Sequence, residues 1–337
     1  MSASPALRTG AATMTAVVFT GAGGNEVVRV EERPAPVPGP SEVLVVARHA
    51  GLNPADVQQR RGQYPAPPGS PADIPGLEVC GVVALCGDRV TRWRPGDRVF
   101  GLVGGGGLAS HVVVHELHVA AVPDELDDRT AAAVPEAFMT AHDAVVSQAG
   151  LRPGEVVLVH GAGGGVGSAA VQIAAAMGAR PLGVVRSPAA RESLERLGVT
   201  AVDDANFVEA VRDATDGRGA DGGLELVGAP HFPANLDALA VRGRVIVVGV
   251  GAGSGIELSL LALMQKRATV RGTVLRARPL DEKAAVVGAF AREVVPALAA
   301  GRITPLVDAV FPMHEAAAAF DHLERPGKAG KVLLEIA

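Results

Sequence analysis

A glycine cluster at residues 161–167 is the part of this chain best suited to chemistry. An apolar run at 156–159 stops at His160, just before it. A small-residue stretch at 168–177 follows, is closed by Gly178, and leads to a second apolar run at 182–185. Strand, tight turn, helix and strand in that order form a unit that can hold a dinucleotide pyrophosphate. Glycine lets the backbone turn sharply and come close to the phosphates. The free N–H groups at the helix start, with the helix dipole, favour an anion. The motif is incomplete, because aligning Gly164 and Gly167 on G-x-G-x-x-G puts Ala162 at the first position. A turn that merely joins strand to helix is the alternative. The flanking elements, at the right distance, favour a nucleotide.

The end of the second apolar run speaks to which nucleotide. Units that take NAD usually carry Asp or Glu about 20 residues past the turn, on the ribose 2′-hydroxyl. Here that place reads Val184, Val185, Arg186, Ser187, and the first acid beyond it is Glu192. A carboxylate would repel a 2′-phosphate, whereas Arg186 and Ser187 offer a charge and a donor. Arg191 follows about one helical turn on. A guanidinium fork can bond two phosphate oxygens at once. The plain alternative is that Arg186 is a solvated residue at a strand end. The pattern predicts NADPH over NADH.

Other chemistries find little here. No Ser/His/Asp triad, paired carboxylate site or reactive Cys arrangement emerges. The sequence SHVVVHELH holds His111, His115 and His118. If 111–115 is a strand, His111 and His115 stand about 13 Å apart at ~3.3 Å per residue, too far for one ion. No metal is therefore expected. Cys80 and Cys86 are the only cysteines, too few for a disulfide framework, so a reducing, cytoplasmic setting is expected. The net charge of −5, without a basic block, gives no reason to expect nucleic acid or an anionic membrane as partner. No apolar run reaches the ~18 residues of a membrane span.

The elements that must position these residues divide the chain in two. At 337 residues it exceeds a typical single core. Residues 1–13 read as a disordered leader without the apolar core of a signal peptide. Beyond them, to about residue 120, short Val-rich runs at 16–19, 43–47, 79–85 and 112–114 alternate with Pro and Gly turns, a β-rich pattern. Residues 130–150 read as helix. Strands are predicted at 156–160, 181–185, 223–227, 244–249 and 269–274. Helices are predicted at 166–178, 188–197, 205–215, 232–241 and 258–266. This alternation predicts a doubly wound parallel sheet. A helix at 281–300 and strands at 306–310 and 331–336 are expected to return to the β-rich part.

Several segments in this order resemble the zinc-independent quinone oxidoreductase branch of the medium-chain dehydrogenase/reductase superfamily, to which zeta-crystallin belongs. They are LNPADVQQRRGQY (52–64), PGLEVCGVV (75–83), PGDRVFGL (95–102), AAAVPEAFMTAHDAV (131–145), the glycine turn and GKVLLEI (330–336). PEAFMTA and GTVLRARP (272–279) are similar to the subgroup that reduces ortho-quinones. The resemblance implies an α/β fold: a Rossmann domain at 138–275 and a β-rich GroES-like catalytic domain at 14–137 and 276–337. Zinc-using members carry Gly-His-Glu where this chain has Gly76-Leu77-Glu78, and a Cys in the neighbourhood of Leu52-Asn53-Pro54. Leucine is no zinc ligand.

The resemblance also implies site residues. Asn53 and Tyr64 would line the acceptor pocket, with Tyr64 stacking on a quinone or donating to a forming oxyanion. Thr140 would lie near the carboxamide, and Gly164, Gly165, Val166 and Gly167 at the pyrophosphate. Val227, Gly249 and Val250 end later strands, where the riboses sit, and Val274 and Leu275 resemble backbone contacts to the nicotinamide. Relatives often have Lys at the position of Ala190, so Arg186 or Arg191 would compensate. The reading is an NADPH-dependent quinone oxidoreductase without metal, acting on a small-molecule quinone or enone, with a homodimer through 269–274. An enoyl or enone reductase of a polyketide or acyl pathway is the second reading. A non-catalytic NADPH-binding sensor or structural protein is the third.

Overall fold

The computed structural model describes residues 13–336. Apart from Thr13, which opens the strand Thr13–Phe19, the expected leader lies outside the described residues. Six parallel strands form one sheet, in the order Thr200–Asp203, Arg180–Val185, Val156–Val159, Ala220–Glu225, Leu239–Val247, Thr269–Gly272. The order reverses beside Val156–Val159, which makes the gap at its carboxyl end a topological switch point. All four residues of that strand are buried, each contributing about 1.5–3 kcal/mol relative to exposure. The strand Thr200–Asp203 was not expected, because TAVD is short and ends in a charge.

The second sheet has seven strands, mostly antiparallel. Glu42–Leu52 runs through its middle: its first half pairs with His111–His115 and its second with Lys331–Glu335, while Glu78–Cys86 takes the other edge. The end of the chain thus returns beside Leu52, as expected. Gly330 also forms a parallel bridge to Gly164, joining the last strand to the glycine turn of the other sheet.

Two expected long helices are broken, in each case next to proline. Residues 130–150 form Asp128–Ala132, Pro135–His142 and a π-helical segment, Asp143–Gln148. Proline lacks the N–H that would continue the first helix. The tail splits into Leu280–Glu293 and Val295–Ala299 around Pro296. Asp143 accepts from Arg278 at 2.5 and 3.1 Å and from Thr273 at 3.2 Å, so the π segment pins 272–279.

Candidate active site

Parallel strands end on one edge, so the segments after Val159, Val185, Glu225, Val247 and Gly272 face a common cleft. The glycine turn stands at its centre. Gly161 has φ +64°, which favours glycine, and a Cβ on Gly167 would collide with the Gly161 carbonyl. A Cβ on Gly163 would come within 2.6 Å of Ala190, and one on Gly165 within 2.7 Å of the Lys331 side chain. Two of the glycines therefore serve packing. Gly164 is the open one, with only the Gly161 carbonyl near, at 3.5 Å. No side chain caps the helix Gly165–Ala176 and no acid lies in its first turn. The amides of Gly165, Val166 and Gly167 are left for an anion, so the turn fits a pyrophosphate.

At the next strand end Arg186 is exposed and makes no hydrogen bond or ion pair among the described residues. Arg191 is engaged: it donates to the Ala201 carbonyl at 2.8 Å and faces Asp203 at 3.9 Å. Ser187 caps the helix Pro188–Arg196 by accepting from the Ala190 amide, and donates to the Gly327 carbonyl at 3.4 Å. The loop before the last strand therefore borders this corner, which no local pattern announced. Further along the edge, the buried Glu225 carboxylate accepts from the amides of Val227 (2.6 Å) and Gly228 (2.8 Å) and from Asn235 (2.7 Å), fixing that turn. The Val227 side chain is half-buried, Gly249 packs on the Leu226 carbonyl, and Val250 is exposed. Leu275 is buried while Val274 points outward at 56% exposure. Of that pair, only Leu275 has its side chain in the interior of the site.

The side of the cleft formed by the second sheet is built on Glu78, which is 1% exposed. One carboxylate oxygen accepts from Lys331 Nζ at 2.5 Å and Asn53 Nδ2 at 2.9 Å; the other accepts from the Glu136 amide at 2.9 Å. Lys331 Nζ also donates to Asn53 Oδ1 at 2.6 Å. Both ends of the Asn53 amide are thus used, and Asn53 serves as a post between the two charges. Asn53 also begins the helix Pro54–Arg60 in a capping box with Asp56. Asp56 accepts from the Asn53 and Gly76 amides at 2.8 and 3.0 Å, and burial pushes its carboxyl up to about 6.

Tyr64 is half-buried, with the Arg276 guanidinium 5.0 Å from its ring centre. Burial raises its phenol above the ordinary value; Arg276 opposes the shift and Glu136 adds to it. Thr140 is buried and donates to Glu136 Oε1 at 3.2 Å. Glu136, Leu77, Leu102, Leu275 and Arg276 line one small cavity. Glu136, Asp56 and Lys331 carried no sequence signal of their own. They lie inside the resembling segments, but their partners are far away in sequence.

His111 lies against Ser110 Oγ; the rings of His115 and His118 pack with centres 5.4 Å apart, but His115 Nδ1 accepts from the Leu117 amide and His118 Nε2 lies 3.1 Å from the Leu280 carbonyl. Among the described residues, the group with metal-ligand types close together is His160, Asp204 and His231, with ligand atoms within 4.8 Å. The two rings stack at 4.5 Å with planes 17° apart. Imidazole lone pairs lie in the ring plane, so nearly parallel rings do not aim at one ion. Cys80 is buried and its thiol is pushed up by burial.

A doubly wound sheet with an anion cradle at its switch point, closed by a second sheet carrying buried polar groups, defines a nicotinamide-dependent oxidoreductase. Residues 39–124 match the alcohol dehydrogenase GroES-like domain, and residues 165–291 match the zinc-binding dehydrogenase domain. Quinone oxidoreductase of Sus scrofa is 30% identical over 97% of this chain and 99% of its own. The Pseudomonas syringae pv. Tomato DC3000 quinone oxidoreductase structure is 30% identical with a TM-score of 0.83, covering 96% of this chain and 100% of that one. CurK enoyl reductase is 27% identical with a TM-score of 0.84, covering 96% and 99%. The chain belongs to the medium-chain dehydrogenase/reductase family, in its quinone oxidoreductase branch. No helix among the described residues is long and apolar enough to cross a membrane.

Proposed function

We propose that the protein is an NADPH-dependent quinone oxidoreductase working without a catalytic metal. The observation that carries the cofactor choice is Arg186, an unpaired cation at the second strand end with no carboxylate beside it. It takes the 2′-phosphate, in preference to the already engaged Arg191. The bound cofactor supplies a hydride. The chain's own residues orient it: the first-turn amides hold the pyrophosphate, and Thr140 and Leu275 flank the nicotinamide place. Leu77 stands where a metal site would need a ligand, and leaves an apolar wall for a flat acceptor. Quinone oxidoreductase relatives at about 30% identity support this acceptor class.

An enoyl or enone reductase is the second reading, favoured by the likeness to CurK enoyl reductase. A panel of ortho-quinones, para-quinones, enones and an enoyl thioester separates the two. NADPH oxidation with ortho-quinones is expected. Turnover of the thioester alone would refute the quinone reading.

A homodimer is also proposed. All four residues of the sheet-edge strand Thr269–Gly272 are exposed, beside exposed Leu260, Leu261 and Met264. Pairing this edge with its twin would satisfy unpaired strand groups and cover the apolar side chains.

A further inference from the structure

Reduction of a quinone or enone needs a proton as well as a hydride, and the cleft holds one group fitted to give it. We propose that Glu136 is the general acid, an inference that rests on the reductase reading above.

Glu136 is the second residue of the helix Pro135–His142, and its carboxyl lies one hydrogen bond from Thr140. It lines the same small cavity as Leu77 and Leu275, next to the place assigned above to the nicotinamide. The other candidates are committed. Glu78 accepts three hydrogen bonds and Asp56 two. Lys331 Nζ is held by Glu78 and Asn53, and Lys283 Nζ by the Arg276 carbonyl. The Tyr64 phenol is shifted upward, which makes it a poor acid near neutrality.

The charges facing Glu136 tune it. Burial pushes its carboxyl up to about 7; Lys331 and the Thr140 hydroxyl oppose this, while Glu78 and Asp56 add to it. Arg276 and Lys283 line the same cavity. An acid with a pKa near the working pH is the efficient donor. When the acceptor takes the hydride with its two electrons, negative charge appears on the acceptor's oxygen. The Glu136 O–H bond breaks, an O–H bond forms on that oxygen, and the Glu136 carboxylate remains. A proton from bulk solvent then restores its acid form. The sum is one NADPH and one proton consumed per acceptor reduced.

The test compares wild type, Glu136→Gln and Glu136→Asp with an ortho-quinone across pH. In wild type, kcat/KM should fall as pH rises through about 7, because the acid form disappears. Glu136→Gln should lose that limb and be slower by roughly 10²–10⁴-fold. Its NADPH dissociation constant, read by nucleotide fluorescence, should stay within about twofold. Glu136→Asp should keep the limb. A Glu136→Gln enzyme that keeps the limb, or matches wild-type rates, overturns the proposal. Infrared difference spectra of the NADPH-bound protein, with Glu136→Gln as reference, give a readout independent of turnover. A carboxyl band lost near pH 7 supports the assignment, and a carboxylate already ionised at about pH 5 overturns it. Failure of every quinone and enone would refute the reductase reading, and the infrared result would still decide whether Glu136 holds a proton.

Discussion

Replacing Lys331 by Met tests the Glu78–Lys331–Asn53 arrangement most sharply. The ion pair is 2.5 Å long, with side chains 5% and 1% exposed. At an effective dielectric constant of about 20, two unit charges at that distance attract by ~7 kcal/mol, much of which the desolvation of both groups cancels. Met keeps the unbranched length but removes the charge. Glu78 is then left as a buried carboxylate with only the Asn53 amide and the Glu136 amide as partners. Breaking one side of a buried pair costs about 3–5 kcal/mol. The double variant Lys331→Met, Glu78→Gln removes both charges and should be more stable than Lys331→Met by about 2–3 kcal/mol. Denaturant unfolding of the four proteins in the cycle measures it. A Lys331→Met protein within about 0.5 kcal/mol of wild type, or a double variant less stable than either single one, would refute the reasoning.

Arg186→Ala should weaken NADPH binding by about tenfold or more, equivalent to ~1.4 kcal/mol, and leave NADH binding unchanged; fluorescence titration with both cofactors reads this. Equal losses for the two would remove Arg186 from the 2′-phosphate. Light scattering should report a dimer for wild type and a monomer for Val270→Asp, since Val270 sits 36% exposed on the edge strand. A monomeric wild type would contradict the edge-pairing proposal.

The parallel sheet was legible because each of its elements signals locally. Val156–Val159 is a continuous apolar run, the glycines mark the turn, and small residues mark the helix packed above it. Thr200–Asp203 has no local signal, because four residues with a terminal Asp hold too little pattern, and only pairing with Arg180–Val185 makes them a strand. The break at Pro135 was visible in principle, since proline opens helices, but the apolar pattern continued across it. The buried polar network around Glu78 is less legible. Glu78 meets Lys331 across 253 residues and the Glu136 amide across 58, and no local period encodes such contacts. Segment resemblance marks Asn53, yet its role as a post between buried charges exists only in the assembled cleft. Arg186 and Arg191 could not be told apart until their partners were known, because both are arginines within reach of one strand end.

Hydride transfer from NADPH to a quinone with no metal is the central proposed step. The most direct measurement is a single-turnover reaction of chelator-treated protein with NADPH and an ortho-quinone, following both chromophores. Metal-free transfer selective for NADPH requires one NADPH oxidised per quinone reduced, with NADH markedly slower at equal concentration. No reaction until zinc is restored, or equal rates with the two cofactors, would contradict it.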